Sequence, residues 1–322
     1  MRLAPPSSRP VTPDTSWRIV LEASAAAARL DRDGRPAAFG LGTGRALVEV
    51  DDGAAGAVMA WVPGTGWQSR LPAGDPRAEF LDLYLPLCSA TAARPLTLGH
   101  LGQSLDGFIA TETGDSQFVT GSGNLQHMHC LRALCDAVVV GAGTVAADDP
   151  RLTTRLVEGP NPLRVVFDPA RRVGPAARVF TDGAAPTLYA CERSRVGPGE
   201  TRVGHAEILP VGEGDDAARD LVAALRARGC ARVFVEGGGV TVSTFLEAGL
   251  LDRLQIAVAP VLIGRGRPAV RLAPRASLSD CRRPAYRVFR MGGDVLFDCD
   301  LRARSSADGD ARDGAPTVTR VI

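Results

Sequence analysis

The chain has 322 residues, of which 45% are hydrophobic and 5% aromatic, and its formal net charge is +1. This size allows one large or two modest domains, and the near-balanced charge leaves no basic surface for nucleic acid and no polybasic patch for a membrane. No apolar run reaches the ~20 residues that a membrane-spanning helix needs. All 37 basic residues are arginines, so no lysine is available as a Schiff base or a phosphate ligand.

The seven cysteines are scattered, odd in number and include no Cys-x-x-Cys pair. In a chain of this length that usage is typical of reduced thiols, so we expect a cytoplasmic protein. His127, His129 and Cys130 could be mistaken for metal ligands. The surrounding pattern is helical, however, and adjacent helical positions point away from one another, so we predict no metal site.

Residues 1–93 are predicted to be an N-terminal extension, with residues 1–15 proline-rich and flexible. Helices are predicted over Trp17–Leu30 and Arg77–Leu87, and strands over Ala46–Val50 and Ala57–Val62 form a predicted hairpin around an Asp-Asp-Gly turn. All three tryptophans lie in this extension, which suggests a small core of its own. Since it carries no catalytic motif, a structural or dimer-supporting role is the favoured interpretation.

From residue 95 onward the patterns of strands and helices alternate. The predicted strands are Leu96–Leu101, Phe108–Ala110, Ala137–Val140, Leu163–Asp168, Thr187–Cys191, Ile208–Val211, Arg232–Val235 and Leu254–Ala259, and the predicted helices are Ser122–Leu134, Asp215–Arg228 and Val240–Ala248. This alternation predicts an α/β fold with a mostly parallel sheet, followed by an antiparallel hairpin over Val288–Cys299. Residues 303–322, rich in Ser, Asp, Gly and Arg, are predicted to be a disordered tail.

Two glycine-rich turns follow buried strands of this sheet. The first, Gly141-Ala142-Gly143-Thr144, has Thr144 at the predicted N-cap of a helical turn, and the second is Gly237-Gly238-Gly239. Backbone N–H groups at the start of a helix favour phosphate, so the pair predicts an extended phosphate-bearing cofactor. Neither turn matches the dinucleotide fingerprint or the P-loop. Arg151 and Arg155 add positive charge just beyond the first turn.

A series of short motifs runs through residues 95–302. They are Ser104–Gly107, Gly114–Thr120, Leu131-Arg132, Val140–Thr144, Asp148–Arg155, Leu163–Asp168, Val235–Gly238 and Ala259–Gly264. Their order and spacing resemble the reductase domain of the bacterial riboflavin-biosynthesis deaminase–reductase. The resemblance implies a dihydrofolate-reductase-like fold over residues 94–302, a homodimer, and reduction by NADPH of an aminopyrimidine ribosylamine 5′-phosphate. Hydride transfer to C1′ would convert the ribosyl group to a ribityl chain.

The resemblance also implies roles for individual residues. The substrate positions of the family fall on Ser116, Arg132, Leu152, Arg155 and Glu236, and the cofactor positions fall on Phe118, Thr144, Asp148, Gly238, Gly239, Val240, Thr241, Val242, Ser243 and Thr244. Arg132 and Arg155 suit a ribose phosphate, because a guanidinium binds phosphate as a planar fork. Glu236 can accept hydrogen bonds from an amino group or a sugar hydroxyl and, with His100, is a predicted catalytic residue.

Three departures from the family pattern affect these expectations. His100 stands where the family usually has lysine, and its cation would donate a proton if it points into the cleft; alternatively its ring packs sideways and fills space. Phe118 replaces a tryptophan, which keeps a stacking face and loses an N–H donor. Residues 1–93 contain no deaminase zinc signature, so the expected substrate is already deaminated or needs no deamination.

Several questions stay open at this level. The pathway and the amino or oxo form of the pyrimidine are not fixed by the motifs. Arg171 and Arg172 are candidates for a cofactor 2′-phosphate, and the apolar run Leu254–Ile263 is a candidate dimer surface. The alternative function is a non-catalytic nucleotide-binding or scaffolding protein that retains the fold. Retention of the predicted arginines and of Glu236 favours the enzyme.

Overall fold

The computed structural model describes residues 15–42, 46–54 and 56–304. The helices in this part of the chain are α1 (Thr15–Asp33), α2 (Ala78–Cys88), α3 (Ser122–Leu134), α4 (Ala142–Asp148), α5 (Arg178–Thr181), α6 (Asp216–Ala227) and α7 (Gly239–Glu247). The strands are β1 (Ala37–Leu41), β2 (Leu47–Val50), β3 (Ala57–Val62), β4 (Gly66–Ser69), β5 (Leu96–Ser104), β6 (Phe108–Thr111), β7 (Ala137–Gly141), β8 (Leu163–Phe167), β9 (Thr187–Glu192), β10 (Arg202–Val203), β11 (Ala206–Val211), β12 (Arg232–Glu236), β13 (Arg253–Ala259), β14 (Gly266–Pro268), β15 (Pro284–Met291) and β16 (Asp294–Arg304). The predicted leader and tail fall almost entirely outside the described residues.

Ten of the described strands form the central sheet, in the order β10-β11-β9-β8-β7-β12-β5-β13-β16-β15. The strands from β11 to β13 in this order run parallel, and β10, β16 and β15 pair antiparallel at the two sides. The predicted α/β fold with a late antiparallel hairpin is confirmed. Because β12 returns between β7 and β5, the carboxyl ends of these strands meet at a reversal of strand order, where open α/β sheets bind ligands.

Strand β7 is buried on both faces, as its run of β-branched residues predicted. Val138 and Val140 belong to one hydrophobic core, and Ala137 and Val139 belong to the core on the opposite face. The alternation is the two-residue period of a strand. Burying each valine stabilises the fold by about 1.5–3 kcal/mol relative to exposure, so the strand that leads into the first glycine turn is firmly held.

The N-terminal extension forms a smaller antiparallel sheet, whose described strands are in the order β2-β1-β3-β4. Helices α1 and α2 pack against each other and against this sheet. Strand β1 lies between β2 and β3 and pairs with both, so the predicted hairpin of β2 with β3 is wrong. The sequence of β1, Ala-Ala-Phe-Gly-Leu, has no polar alternation and only one large β-former, and its pattern therefore gave no strand signal.

The extension shares its core with the rest of the molecule. Trp17, Trp61 and Trp67 belong to the same hydrophobic cluster as Leu131 of α3 and Phe234 of β12. The expectation of a separate small core is therefore wrong. Tryptophan content shows that a segment buries apolar surface, but it does not show which surface lies opposite. Among the described helices, none is long and apolar enough to cross a membrane.

Candidate active site

A cavity of about 730 Å³ opens at the carboxyl ends of β5, β7, β8 and β12. This volume lies within the range of about 300–1,000 Å³ that is usual for ligand and cofactor pockets. The predicted site residues in its walls are Ser116, Thr144, Asp148, Glu236, Gly238, Gly239, Val240, Thr241 and Thr244. The structure thus brings both glycine turns and the loop that carries Ser116 around one space.

The two glycine turns touch each other at the base of the cavity. A Cβ atom added to Gly141 would lie 2.0 Å from Thr241 Oγ1, and one added to Gly238, whose φ is +67°, would lie 2.8 Å from Thr144 Oγ1. Neither position has room for a side chain. Helix α4 begins at Ala142 with Gly141 as its N-cap, so the prediction of Thr144 as the N-cap is wrong: the small residues let the chain turn helical three positions earlier.

Helix α7 presents only one side to the cavity. Val240 and Thr244 line it, whereas Val242 is fully buried in the core beneath the sheet. Ser243 is also buried, and its hydroxyl accepts a hydrogen bond from the backbone N–H of Arg271 at 2.8 Å. Val242 and Ser243, both predicted cofactor positions, therefore support the wall from behind. A helix separates consecutive residues by about 100°, so a continuous sequence motif cannot face one ligand throughout.

Arg132 and Glu236 form a buried ion pair at the end of β12. Arg132 Nε donates to Glu236 Oε2 at 2.7 Å, its Nη2 donates to Oε1, and its Nη1 donates to the Thr153 carbonyl at 3.2 Å. Both side chains are 7% exposed. The fork of Arg132 is therefore occupied by the carboxylate, which contradicts the prediction that it grips a substrate phosphate. Instead it fixes the orientation of Glu236, whose residue lines the cavity.

Arg155 stands on a segment without regular structure, residues 149–162, which we call the arginine loop. Its Nη1 donates to the hydroxyl of Thr153 at 2.8 Å, and its backbone N–H donates to His129 Nδ1 at 3.0 Å. Partial burial, reinforced by the nearby charges of Arg132 and Arg151, lowers the pKa of the Arg155 guanidinium. An arginine stays charged even when its pKa is lowered in this way. The three neighbouring arginines therefore create a region of positive potential that suits an anion.

Leu152, a predicted substrate position, does not present its side chain to the cavity. The side chain is fully buried in the core, and the backbone adopts a left-handed conformation with φ +56°. Leucine in this conformation is unfavourable by about 1–2 kcal/mol. Core burial outweighs that strain, and the resulting kink turns Thr153 inward, where its carbonyl meets both Arg132 and Arg155.

His100 lies beneath α3 and away from the cavity walls. It pairs with Glu236 across the parallel strands β5 and β12, and its ring packs edge-on against His127 at 5.3 Å. Within the described part of the chain, neither ring nitrogen has a hydrogen-bond partner. Desolvation, aided by His127, lowers the pKa of His100 to about 3. A neutral, enclosed ring cannot donate the predicted proton, and the geometry favours the alternative that His100 fills space.

The two histidines of α3, His127 and His129, are also buried, and both form hydrogen bonds in the interior. His127 shares hydrogen bonds with the Tyr84 hydroxyl at 2.7 Å and with Gln255 Oε1 at 2.8 Å, and His129 accepts from Arg155. Burial lowers the pKa of His127 to about 4 and that of His129 to about 3, so both are neutral. Among the described residues, no group of three His, Cys, Asp or Glu side chains could hold a metal ion.

Phe118 is exposed and strained, and it is not part of the cavity wall. Its side chain is 66% exposed and its φ is +64°, an unusual conformation for an aromatic residue. It belongs to the same loop as Ser116, which does line the cavity. Its stacking on a cofactor stays a prediction.

Arginines that motif matching did not identify also line the cavity. Arg267 and Arg271, on the segment that follows β13, belong to its walls together with Arg172. Partial desolvation raises the pKa of the Asp148 carboxyl, and the charge of Arg267 opposes that shift. Arg171 is turned away and paired with Glu200, so its predicted role toward a 2′-phosphate is wrong. Sequence gave no signal for Arg267 or Arg271, because their loop is brought to the cavity by strand pairing with β6.

The chain is similar to proteins of named activity. The profile of the family described as the RibD C-terminal domain matches residues 98–284. A protein of Methanothermobacter thermautotrophicus, named 2,5-diamino-6-ribosylamino-4(3H)-pyrimidinone 5′-phosphate reductase, is 35% identical over 220 residues, which is 65% of this chain and 99% of that protein. A protein of the same name from Archaeoglobus fulgidus is 38% identical over 192 residues, 55% of this chain and 86% of that protein.

A solved structure shows the same likeness. The crystal structure of a diaminohydroxyphosphoribosylaminopyrimidine deaminase/5-amino-6-(5-phosphoribosylamino)uracil reductase from Thermotoga maritima matches with a TM-score of 0.55 and 27% identity. The match covers 70% of this chain and 60% of that one. The chain thus spans nearly the whole length of the Methanothermobacter protein but little more than half of the Thermotoga protein.

Proposed function

Since the chain belongs to the RibD C-terminal domain family, as its motifs predicted, we propose that it is an NADPH-dependent reductase of 2,5-diamino-6-ribosylamino-4(3H)-pyrimidinone 5′-phosphate. The reaction converts the ribosyl group to a ribityl chain by hydride transfer to C1′. The diamino form is favoured because two archaeal relatives, covered over 99% and 86% of their length, carry its name. The observation that carries the proposal is the meeting, at one cavity, of two glycine turns and the Glu236–Arg132 pair.

The cavity fits a nicotinamide cofactor, a type of cofactor that reductases of this fold generally use. When bound, the cofactor supplies the hydride. The Thr144 hydroxyl lies so close to Gly238 that only glycine fits at position 238, which leaves room for a phosphate at the start of α7. Gly239 is equally constrained, because an added Cβ would lie 2.2 Å from the Ala269 carbonyl.

Two arginines support a preference for NADPH over NADH. Arg172 and Arg271 both line the cavity and both extend into solvent, and the side chain of Arg172 is 72% exposed with only a long contact of 3.7 Å to Asp168. A guanidinium with free donors binds a 2′-phosphate as a charge-assisted fork. Arg172 and Arg271 thus replace the earlier pair Arg171 and Arg172 in this role.

On the substrate side, Glu236 and Arg155 have separate tasks. Each oxygen of the Glu236 carboxylate accepts one hydrogen bond from Arg132 and retains a lone pair for an amino group or a hydroxyl of the substrate. Arg155, beside Arg132 and Arg151, supplies positive potential for the ribose 5′-phosphate. Ser116 also lines the cavity and offers a hydroxyl. These groups orient the substrate so that C1′ faces the hydride donor.

We further propose that the protein is a cytoplasmic homodimer. All seven cysteines are free, and five are buried, which fits a reducing compartment. The part of the predicted dimer surface that lies on β13 needs correction, because β13 lies inside the sheet and Leu254 is buried, whereas Val261 and Leu262 of the same run are exposed. The late hairpin β15–β16 forms the sheet edge and exposes Tyr286, so it is a further candidate surface. Light scattering at micromolar concentration that gives the mass of a monomer would exclude the dimer.

The test is an assay of purified full-length protein with NADPH or NADH and with either the diamino substrate or its deaminated form. We expect loss of reduced-nicotinamide absorbance with NADPH and the diamino compound, and the ribityl product by mass spectrometry. Faster turnover of the deaminated compound would indicate that the substrate is instead the one named for the Thermotoga reductase. Binding of both ligands by calorimetry without turnover would support the non-catalytic alternative.

A further inference from the structure

We infer that Trp17, in the N-terminal extension, is a positioning residue for Arg155. This inference rests on the proposed function, in which Arg155 faces the substrate phosphate. The arginine loop contains no helix or strand between α4 and β8, so its conformation depends on bonds from other parts of the molecule. Its shape is therefore set by the side chains that reach its backbone.

The first bonds hold the start of the loop. Arg164, on β8, is completely buried, and its Nη1 donates to the Arg151 carbonyl at 3.2 Å. His129 of α3 accepts from the N–H of Arg155 at 3.0 Å. Within the loop, the backbone N–H of Thr154 donates to the Asn161 side chain at 2.8 Å. These contacts all come from the α/β domain or from the loop itself.

The last bond comes from the extension. The Trp17 indole Nε1 donates to the Glu158 carbonyl at 2.9 Å, across 141 residues of sequence. The Trp17 residue is 6% exposed, and its ring meets Tyr84 edge-on at 6.0 Å. Tyr84 in turn bonds His127 of α3. The indole is thus fixed relative to the helix that carries Arg132 and His129.

The loop is pressed against α3 at the same place. Gly159 has φ +143°, and a Cβ added there would lie 2.6 Å from the Cβ of Ala133 and 3.6 Å from Leu21 of α1. The backbone of the loop is therefore enclosed between α3 and the extension. The N–H of Arg155 and the carbonyl of Glu158 are the two ends of a four-residue segment held from both sides.

Removing the indole N–H should release one end of that segment. Trp17→Phe keeps an aromatic ring and deletes the donor. We expect KM for the ribosylamine phosphate to rise about 2- to 10-fold, the usual effect of one hydrogen bond, with KM for NADPH and kcat within about 2-fold of wild type. A purely structural role would lower stability without separating the two KM values.

Trp67 offers a matched control. Its indole Nε1 also donates to a backbone carbonyl, that of Ala23 at 3.0 Å, but within the extension. Trp67→Phe should therefore leave KM for the substrate unchanged, even if the two variants lose the same amount of stability in chemical denaturation. Equal substrate KM values in wild type, Trp17→Phe and Trp67→Phe would overturn the inference, and so would a parallel rise in both KM values of Trp17→Phe.

Amide hydrogen exchange provides a test that is independent of activity. In Trp17→Phe, exchange should accelerate in peptides covering residues 154–161 and stay unchanged in residues 141–148, whereas Trp67→Phe should change neither. Unaltered exchange of the arginine loop in Trp17→Phe would overturn the inference. If the wild-type protein reduces neither candidate substrate, the proposed function fails, and the exchange result still decides whether Trp17 holds the loop.

Discussion

The two sides of the cavity are built in different ways. The cofactor side consists of two turns whose shape comes from glycine. A Cβ atom added to Gly141 or to Gly238 would lie within 3 Å of a threonine hydroxyl. The substrate side consists of charged side chains whose partners are distant in sequence, such as Arg132 and Glu236, 104 residues apart. Local backbone shape is encoded locally, whereas the role of a charged side chain is decided by the partner that folding places beside it.

The largest effect is expected from breaking the buried pair on the substrate side. Glu236→Ala leaves the Arg132 guanidinium buried without its carboxylate, and removing one partner of such a pair lowers the free energy of unfolding by about 3–5 kcal/mol. Chemical denaturation followed by circular dichroism measures this loss. Turnover should also be lost, because the carboxylate faces the cavity.

A double variant separates stability from activity. In Arg132→Met/Glu236→Met neither charge remains, and replacing a buried pair by apolar groups of similar size is often neutral for stability. We expect most of the lost stability to return without any return of activity. A single Glu236→Ala variant as stable as the wild type would show that the pair is not desolvated in the folded protein.

The next largest effect concerns the other arginine. Arg155→Ala should leave the free energy of unfolding within about 0.5 kcal/mol of wild type, because its side chain is exposed. Substrate affinity should fall by about 10- to 150-fold, the equivalent of losing a charge-assisted bond to phosphate. Steady-state kinetics with substrate and cofactor varied separately would reveal it. A loss of NADPH affinity instead would mean that the two sides of the cavity have been exchanged.

The contrast between Arg132 and Arg155 shows where sequence reasoning stopped. Both arginines lie on motifs of one resemblance, and both were predicted to bind phosphate. Only three-dimensional structure shows that Arg132 is enclosed with Glu236 while Arg155 stays partly solvated. Likewise, His100 looked like a replacement for a lysine, but its burial beneath α3 follows from packing that no motif records.

The sheet and its turns were predictable for a physical reason. Strand β7 is an uninterrupted β-branched run, and its turn contains Gly141 where the Thr241 side chain approaches, so both signals are contiguous in sequence. The smaller sheet of the extension was only partly predictable. Strand β1 is short and consists mostly of small residues, so its pairing depends on neighbours that are separated from it in sequence.

On the cofactor side, the glycine turn can be tested against its own neighbour. Gly141→Ala places a Cβ 2.0 Å from Thr241 Oγ1, whereas a Cβ on Gly143 meets nothing within 4 Å. We expect Gly141→Ala to weaken NADPH binding and to destabilise the fold by about 1–3 kcal/mol, the usual effect of overpacking. Gly143→Ala should leave stability unchanged. Calorimetric titration with NADPH, alongside denaturation, checks both; equal behaviour of the two variants would contradict the close approach of the turns.

The effect that is smallest at neutral pH, and grows only in acid, is the pH dependence of stability, because burial holds the pKa of His100, His127 and His129 at about 3, 4 and 3. An unfolded histidine titrates near 6.5, so between these values the unfolded chain binds more protons than the folded one. Stability is therefore fully present above pH ~6.5 and is lost as the pH falls toward the folded pKa values, by about 1.4 kcal/mol per pH unit for each histidine.

Two histidine variants separate this stability effect from its consequence for the arginine loop. His127→Gln and His129→Gln each remove one buried titrating ring, so each should reduce the slope of unfolding free energy against pH by about 1.4 kcal/mol per unit. Only His129 accepts a hydrogen bond from the Arg155 backbone, and its protonation would turn that acceptor into a donor. As the pH falls, the substrate KM of the wild type and of His127→Gln should therefore rise before the KM for NADPH does. In His129→Gln the substrate KM should no longer depend on pH in this way. Wild-type stability that stays constant between about pH 5 and 7 would show that these rings do not titrate as buried groups.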